Sequence, residues 1–360
     1  MSAATIVQDW RQCLRHELLP ELHGHQLNAL ADLSFAVALS GQCQSGALAL
    51  AVPGQAKPAS VQRRCERFLA NERLQPRLTL WRLAQNLFAP WAGRRLRLLL
   101  DETPKGNDLR VLKVSVAFRK RAVPVAALCY RPDEPPLPLP WLIPWLLRRV
   151  HACLPANVVV TLLADRGLAW PVILDACAEL GWHYLLRLQG STKVTLPDGR
   201  EVTAGALVGR IGGRWQGEAW LFKKAGWRAA TVLAYWPLGR EEPWLLVSDE
   251  RACPRRFQTY GQRTWTEELF RDEKSQGLNW QKSRVNDPRH AERLLLVLAL
   301  ALLLAILVGV QVLKRGWRRE LETGRRRGLS VVQLGLRWLR YVIYHGLPLN
   351  VQLTGYLYPT

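Results

Sequence analysis

The feature that most restricts the fold of this chain is an uncharged apolar run from Leu294 to Val310, which reads LLLVLALALLLAILVGV. A helix needs about 20 apolar residues to cross a bilayer, with about 17 as a lower limit, so the run lies at the short end of that range. A helix buried on all sides in a large core is equally hydrophobic around its circumference. The run therefore predicts either a membrane span or the central helix of a substantial core.

The charge of the chain favours a polyanionic partner. Lysine and arginine number 50 against 29 acidic residues, the formal net charge is +21, and only 10 of the 50 basic residues are lysine. The planar guanidinium of arginine binds phosphate oxygens two at a time, so this excess favours nucleic acid. A basic surface without a specific partner would give the same count. The hydrophobic fraction of 49% excludes a disordered chain.

The seven cysteines form no Cys-x-x-Cys pair and are odd in number, which makes a zinc ribbon or a disulfide framework an unfavourable interpretation. The first residues, MSAATIVQDWRQCLRHELL, lack the basic and apolar regions of a secretory signal. We therefore expect a reducing, cytoplasmic setting.

Residues 1–90 are predicted to form a helical N-terminal DNA-binding region, because apolar residues recur there at three- and four-residue spacing. One helix places three arginines opposite its apolar residues: Arg63, Arg64 and Arg67. A face of this kind suits contacts with DNA phosphates, although an ordinary solvated helix shows the same pattern.

Residues 91–188 alternate in a way that predicts an α/β fold. Three strands come first, followed by helix, strand, helix and strand, which favours a mixed sheet with flanking helices. The predicted strands are Arg95–Leu100, Leu109–Phe118, Val123–Tyr130, Val158–Leu163 and His183–Leu188. Residues 189–250 are predicted to form an all-β insertion rich in tryptophan, residues 251–313 a return to helix, and residues 314–360 a basic C-terminal region.

Two aspartates directly follow predicted strands. Asp101 comes after Leu98–Leu100, and Asp165 comes after 161–164. Side chains at the carboxyl ends of strands project into the crevice where ligands usually bind, although a single aspartate there is more often a turn or cap residue. Together, two such carboxylates can share divalent cations, and a third would complete a two-metal site.

The third acid is predicted on a helix over residues 259–274. Tyr260, Arg263, Glu267 and Lys274 are spaced so that all four lie on one helical stripe. A glutamate among these residues suits a metal ligand whose neighbours hold phosphates. An exposed helix with several ion pairs is the alternative interpretation.

The spacing Tyr-x2-Arg-x3-Glu-x6-Lys, together with LLLDET around Asp101 and LLADRG around Asp165, resembles one group of bacterial insertion-sequence transposases. These are DDE-class enzymes with a β-rich insertion before the catalytic glutamate. The resemblance runs from about residue 25 to residue 340 and includes the segment WPVILDACAELGWHYLLRLQG.

The resemblance implies a ribonuclease-H-like core in which Asp101, Asp165 and Glu267 are catalytic and bind two Mg²⁺ ions, for which Mn²⁺ can substitute. It implies that Tyr260, Arg263 and Lys274 contact phosphates at the transposon end. In relatives that form hairpin intermediates, an aromatic residue of the insertion stacks on a flipped base. Trp236 and Trp244 are the candidates here, unless the tryptophans of the insertion simply form its core.

The implied activity is cut-and-paste transposition: cleavage at transposon ends followed by strand transfer into target DNA. The implied partners are double-stranded DNA, as terminal inverted repeats and as target, and a second copy of the chain. A domesticated non-catalytic DNA-binding protein and another ribonuclease-H-like nuclease are the alternatives. The family has an apolar core helix at the position of Leu294–Val310, which favours a core helix over a membrane span. The resemblance also implies a bacterial cytoplasmic protein that is associated with the nucleoid.

Overall fold

The computed structural model of the chain describes residues 2–324, 327–351 and 353, without the side chains of 275 and 276. Its helices are α1 (Ala3–Cys13), α2 (Gly24–Ser40), α3 (Ser45–Ala51), α4 (Pro58–Ala70), α5 (Pro76–Phe88), α6 (Leu139–His151), α7 (Pro171–Glu179), α8 (Arg255–Gly261), α9 (Trp265–Arg271), α10 (Pro288–Lys314), α11 (Arg318–Leu321) and α12 (Val331–Tyr344). Its strands are β1 (Arg95–Lys105), β2 (Leu109–Phe118), β3 (Arg121–Tyr130), β4 (Val159–Ala164), β5 (His183–Arg187), β6 (Lys193–Thr195), β7 (Glu201–Thr203), β8 (Arg214–Leu221), β9 (Arg228–Tyr235) and β10 (Trp244–Ser248).

The strands form one mixed ten-stranded sheet in the order β3-β2-β1-β4-β5-β10-β9-β8-β6-β7. Strands β1, β4 and β5 are parallel, and β2 is antiparallel to both of its neighbours. Because parallel strands need a crossover connection, β3 is joined to β4 through α6, and β4 to β5 through α7. The mixed α/β sheet predicted from the sequence is confirmed.

Strand β1 is longer than predicted, which corrects the position of Asp101. Its parallel pairing with β4 ends at Leu100, but its antiparallel pairing with β2 continues through Asp101 to Lys105. Asp101 therefore lies inside a strand, at the point where one of its two neighbouring strands stops. The open side left by β4 still gives the carboxylate access to the crevice.

The β-rich segment extends the main sheet instead of forming a separate layer. Strand β10 pairs antiparallel with β5, and β9 and β8 follow it outward. A tight hairpin turn joins β6 and β7, where Gly199 adopts a φ of +83° that favours glycine. The insertion is consequently attached directly to the strand that neighbours β4.

The apolar run forms most of α10. Asp287, the residue before this helix, caps it, because its side chain accepts a hydrogen bond from the backbone N–H of His290. Among the described residues, α10 is the one helix that by itself is long and apolar enough to cross a membrane, and every residue of its most apolar window is buried inside the protein. It contacts β3 on the sheet and also α2 and α12. This is the packing predicted for a core helix.

Helix α12 belongs to the region expected to be only a basic C-terminal segment. It begins with a capping box formed by Ser330 and Gln333 and packs its apolar face on α10. Two glycines let the backbones approach closely. A Cβ at Gly309 would lie 1.9 Å from the Val331 carbonyl oxygen, and one at Gly335 would lie 1.8 Å from that of Ala305. Residues 325, 326, 352 and 354–360 of the predicted region lie outside the described residues.

Candidate active site

Three carboxylates from distant parts of the chain converge on one guanidinium. Arg263 Nη2 donates to Asp101 Oδ2 at 3.0 Å and to Asp165 Oδ2 at 3.1 Å, and its Nη1 donates to Glu267 Oε1. The arginine side chain is only 13% exposed, and its Nε has no partner within the described residues. The two aspartates thus lie on either side of a single nitrogen atom.

Asp101 is the most buried of the three acids. Its Oδ1 accepts from the backbone N–H of Glu102 at 2.9 Å. Burial raises the pKa of the Asp101 carboxyl to about 6; Arg263 opposes this shift, while the charges of Asp165 and Glu267 add to it. The guanidinium of Arg263 therefore favours the ionised form of a carboxyl whose ionisation is disfavoured by burial and by its two acidic neighbours.

Asp165 and Glu267 are held in more open positions. Asp165 follows β4 and caps a short 3₁₀ turn, where its Oδ1 accepts from Gly167 N–H at 2.7 Å. Glu267 lies in the first turn of α9, four residues after Arg263, and 56% of its side chain is exposed. Both acids keep one side toward solvent, as carboxylates that receive a ligand from outside must.

The segment predicted as one helix over 259–274 is divided in the structure. It consists of α8, a 3₁₀ turn at Gln262–Thr264, α9 and a π turn at Asp272–Gln276. Gly261, a weak helix former, lies at the first break. Arg263 and Glu267 remain hydrogen-bonded at i,i+4 spacing, but Lys274 lies in the π turn, a local geometry that is frequent at functional sites.

Opposing effects act on the charge of Arg263. Desolvation by burial lowers the pKa of the guanidinium, but the negative charges of Asp101 and Asp165 more than offset that effect, so the pKa is raised. The resemblance implies that Arg263 contacts DNA phosphate. In the chain by itself it is instead the counter-ion of all three acids.

Of the two candidate tryptophans, one packs on Tyr260 and the other does not. Tyr260 is buried with its ring at 5.8 Å from that of Trp244 in an edge-to-face arrangement, and Trp244 also packs near Phe257. Trp236 is half-buried and donates from Nε1 to the Arg240 carbonyl at 2.8 Å. Trp244 is therefore linked to the carboxylate cluster through Tyr260, whereas Trp236 is tied to its own loop.

Lys274 is fastened to β1 just beyond Asp101. Its Nζ donates to Thr103 Oγ1 at 2.6 Å and to the Pro104 carbonyl at 2.7 Å. Burial lowers the pKa of this ammonium, and nearby Lys113 adds to the effect. The lysine predicted to contact phosphate is thus brought to the same strand as the first acid.

The arginines of α4 are not brought into this cluster. Val61, Cys65 and Phe68 form the buried face of α4, which packs on α3 and α10, and the three arginines are exposed opposite them. The two-sided character of this helix is confirmed. Contact with DNA at Arg63, Arg64 and Arg67 stays a prediction.

Sequence reasoning missed a second layer of charge beneath the site. Lys113 pairs with Glu273, and Arg121 pairs with Asp272 at 3.0 Å. The signal was present as a lone lysine inside the apolar strand VLKVSV and as the acids that follow α9. Their partners are far away in sequence, so the pairing could not be read from spacing.

Within the part of the chain that the structure describes, no three His, Cys, Asp or Glu side chains form a ready-made metal site. The reason is the position of Arg263, whose guanidinium stands between the carboxylates. The donor set itself suits a hard divalent cation, since it consists of carboxylate oxygens from a strand, a strand end and a helix. For one divalent cation to contact all three acids, the guanidinium of Arg263 would have to move from between them.

Comparison with known proteins agrees with this chemistry. No curated protein matches the chain. The match to a family of known domains begins in α6 and ends in α10, so it includes Asp165, Arg263 and Glu267, whereas Asp101 precedes it. Residues 142–304 match the family described as the transposase DDE domain, which supports a transposase, a nucleic-acid-cleaving and DNA-binding enzyme of a class that generally uses divalent metals.

Proposed function

We propose that this protein is a cut-and-paste DNA transposase of bacterial insertion-sequence type. It cleaves DNA at transposon ends and transfers the released strand into target DNA, with Asp101, Asp165 and Glu267 as its catalytic acids. The observation that carries the proposal is the convergence of these three carboxylates, from positions up to 166 residues apart, on one guanidinium.

The strand arrangement supports a ribonuclease-H-like core. The order β3-β2-β1-β4-β5, with β2 antiparallel and helical crossovers after β3 and β4, is that of the implied core. Asp101 lies on the first strand of this unit and Asp165 follows the fourth. Glu267 comes from a helix after the β-rich insertion, in the order that the resemblance implies.

The three acids would hold two Mg²⁺ ions, or Mn²⁺ in their place. When bound, such ions supply charge neutralisation and Lewis-acid polarisation at the reacting phosphodiester. The residues of the chain do the rest. Arg263 leaves the carboxylates and turns its donors to a DNA phosphate, and Lys274 holds a second phosphate beside β1. Because phosphoryl transfer needs little covalent participation, alignment and charge are the main contributions of the protein.

The DNA partners would be the terminal inverted repeats and the target duplex. Arg63, Arg64 and Arg67 form an exposed basic face suited to phosphates, and Trp244, beside Tyr260, is better placed than Trp236 to stack on a flipped base. Because two ends must be held together, the active form is a homodimer. The expected location is the bacterial cytoplasm, in association with the nucleoid.

The test is cleavage and strand transfer by wild-type protein and by Glu267→Gln, using a duplex that carries the element end. We expect the variant to lose at least about 10³-fold in cleavage rate and to bind the end within a few-fold of wild type, because only a charge at the reacting centre is removed.

The matched control is Glu268→Gln, which changes the neighbouring acid. Retained metal-dependent nicking in Glu267→Gln would refute the site. Binding without cleavage by the wild type would favour a domesticated DNA-binding protein, and cleavage without strand transfer would favour another nuclease of this fold.

A further inference from the structure

A fully buried ion pair lies beneath the catalytic segment. The ammonium of Lys113 is bonded to the carboxylate of Glu273, and each side chain is only 1% exposed. Lys113 is the direct cross-strand partner of Asp101 in the pairing of β1 with β2. Opposite residues of antiparallel strands point to the same face, so the lysine stands next to the first acid, beneath the segment that carries Glu267.

The surroundings of this pair exclude water. Lys113 Nζ lies 5.6 Å from the ring centroid of Phe270 and 5.8 Å from that of Trp280, which is itself fully buried. Two charges removed from water are stabilising only if they are well paired, and an apolar pair of similar size is often as stable. Net stability alone therefore does not account for a charged pair at this position.

That contribution is visible in how the segment 263–274 is attached to the sheet. It is held by directional polar contacts: Arg263 to Asp101 and Lys274 to Thr103 on β1, Glu273 to Lys113 on β2, and Asp272 to Arg121 on β3. Hydrogen-bonded charges specify one relative position of two elements, whereas apolar contacts tolerate sliding and rotation. Two contacts of this set, Lys113–Glu273 and Arg121–Asp272, involve no group expected to bind metal or DNA, and Lys113–Glu273 is the more buried of the two.

We propose that Lys113 and Glu273 are positioning residues that set the register of the catalytic segment on the sheet, so that Glu267 and Lys274 meet Asp101. This inference rests on the function proposed above. Lys113 acts from β2 through Glu273 in the π turn, and neither residue touches the substrate.

The decisive variant replaces both partners, Lys113→Met with Glu273→Leu, which removes the charges and leaves no buried charge unpaired. We expect it to fold with a melting temperature close to that of the wild type and to bind the element end within about threefold. Its cleavage rate falls about 100-fold, since a misplacement of about 1 Å costs that much. Hydrogen exchange of residues 263–274 becomes faster, while exchange of α10 is unchanged.

Two further variants complete the experiment. The charge-exchanged variant K113E/E273K re-forms the pair. It should therefore cleave at least about tenfold faster than Lys113→Met with Glu273→Leu and should again show slow hydrogen exchange in residues 263–274. The control is Arg77→Met with Glu292→Gln, which breaks a different ion pair between distant segments, one that is only part-buried. It leaves the exchange of 263–274 unchanged.

The proposal is overturned if Lys113→Met with Glu273→Leu folds and keeps both wild-type cleavage and wild-type exchange. If that variant does not fold, Glu273→Gln decides: faster exchange of 263–274 supports the proposal, and unchanged exchange with unchanged cleavage overturns it. If the wild type cleaves no DNA, the proposed function fails, and the exchange measurement still tests the positioning role.

Discussion

Two helical segments contact the same strand, β3, and are held there in opposite ways. Helix α10 is buried along almost its whole length by aliphatic side chains and by glycines that admit a neighbouring backbone. The segment containing α9 is attached to the sheet by charged pairs, and Glu267 at its edge is largely exposed. Apolar packing thus holds α10 in the core, whereas charged pairs hold the segment that we propose to be catalytic.

The difference shows what each kind of contact can do. Apolar packing of α10 contributes free energy over a large area but distinguishes poorly between close registers. The charged contacts around Arg263 contribute less net free energy, because each charge loses hydration. These contacts do determine the positions of the three carboxylates. The pKa of Asp101 is raised because this carboxyl is buried and lies close to the other two acids.

The largest effect is expected from a substitution that disrupts the apolar packing of α12 on α10. Gly335→Leu forces α12 away from α10, because even a Cβ at this position would lie 1.8 Å from the Ala305 carbonyl oxygen. We expect a loss of about 3 kcal/mol or more in the free energy of unfolding, measured by urea titration.

Gly24→Ala is the control for that measurement, since a Cβ there meets nothing within 4 Å, and its stability should equal or slightly exceed that of the wild type. A Gly335→Leu protein within about 1 kcal/mol of wild type would mean that the α10–α12 contact is not as tight as described.

A smaller effect is expected on the charged side. Arg263→Gln removes the cation that stands among the three carboxylates, so their mutual repulsion is relieved by an added cation or by protonation of Asp101. Without DNA, Mn²⁺ should bind about tenfold more tightly, or about 1.4 kcal/mol, as measured by calorimetry or by electron paramagnetic resonance.

Arg263→Lys keeps the positive charge and is the control for metal binding. It should stay close to the wild-type affinity. Equal Mn²⁺ affinity in Arg263→Gln and in wild type would show that the guanidinium does not compete with the metal.

The smallest effect on folding is expected from substitutions of the exposed arginines of α4. Replacing Arg63, Arg64 and Arg67 by Gln should change the free energy of unfolding by no more than about 0.5 kcal/mol, because these side chains are exposed on α4. DNA affinity should fall. The slope of the logarithm of the binding constant against the logarithm of the salt concentration should decrease in magnitude by about one for each phosphate that the protein no longer contacts. An unchanged salt dependence would remove these residues from the DNA interface.

Much of the architecture was predictable because it depends on local patterns. The first three strands and the two crossover helices follow from runs of apolar residues and from their periodicity. The apolar run of α10 allowed a core helix or a membrane span, the family resemblance favoured the core helix, and the structure buries it. Asp165 was predicted at the end of its strand and is found there. Asp101 was predicted after a strand and lies within one, because pairing with β2 outlasts pairing with β4, and only the partner strands reveal that.

The candidate site was predictable as a set of residues but not as an arrangement. The spacing of Arg263 and Glu267 anticipated their hydrogen bond, since i,i+4 neighbours meet on any helix. Nothing local indicated that Arg263 would pair with all three acids or that Trp244 would pack on Tyr260. These contacts depend on how the sheet and the helices are assembled.

By itself, the sequence determined which segments become strands and most of the helices, which segment is the most apolar, and which acids are available for chemistry. These properties depend on the periodicity and polarity of short windows. The tertiary structure alone decided that the β-rich segment extends the main sheet, that Arg263 meets Asp101 across 162 positions, and that Lys113 meets Glu273 across 160. Contacts over such separations depend on strand order and register, which no short window of the chain contains.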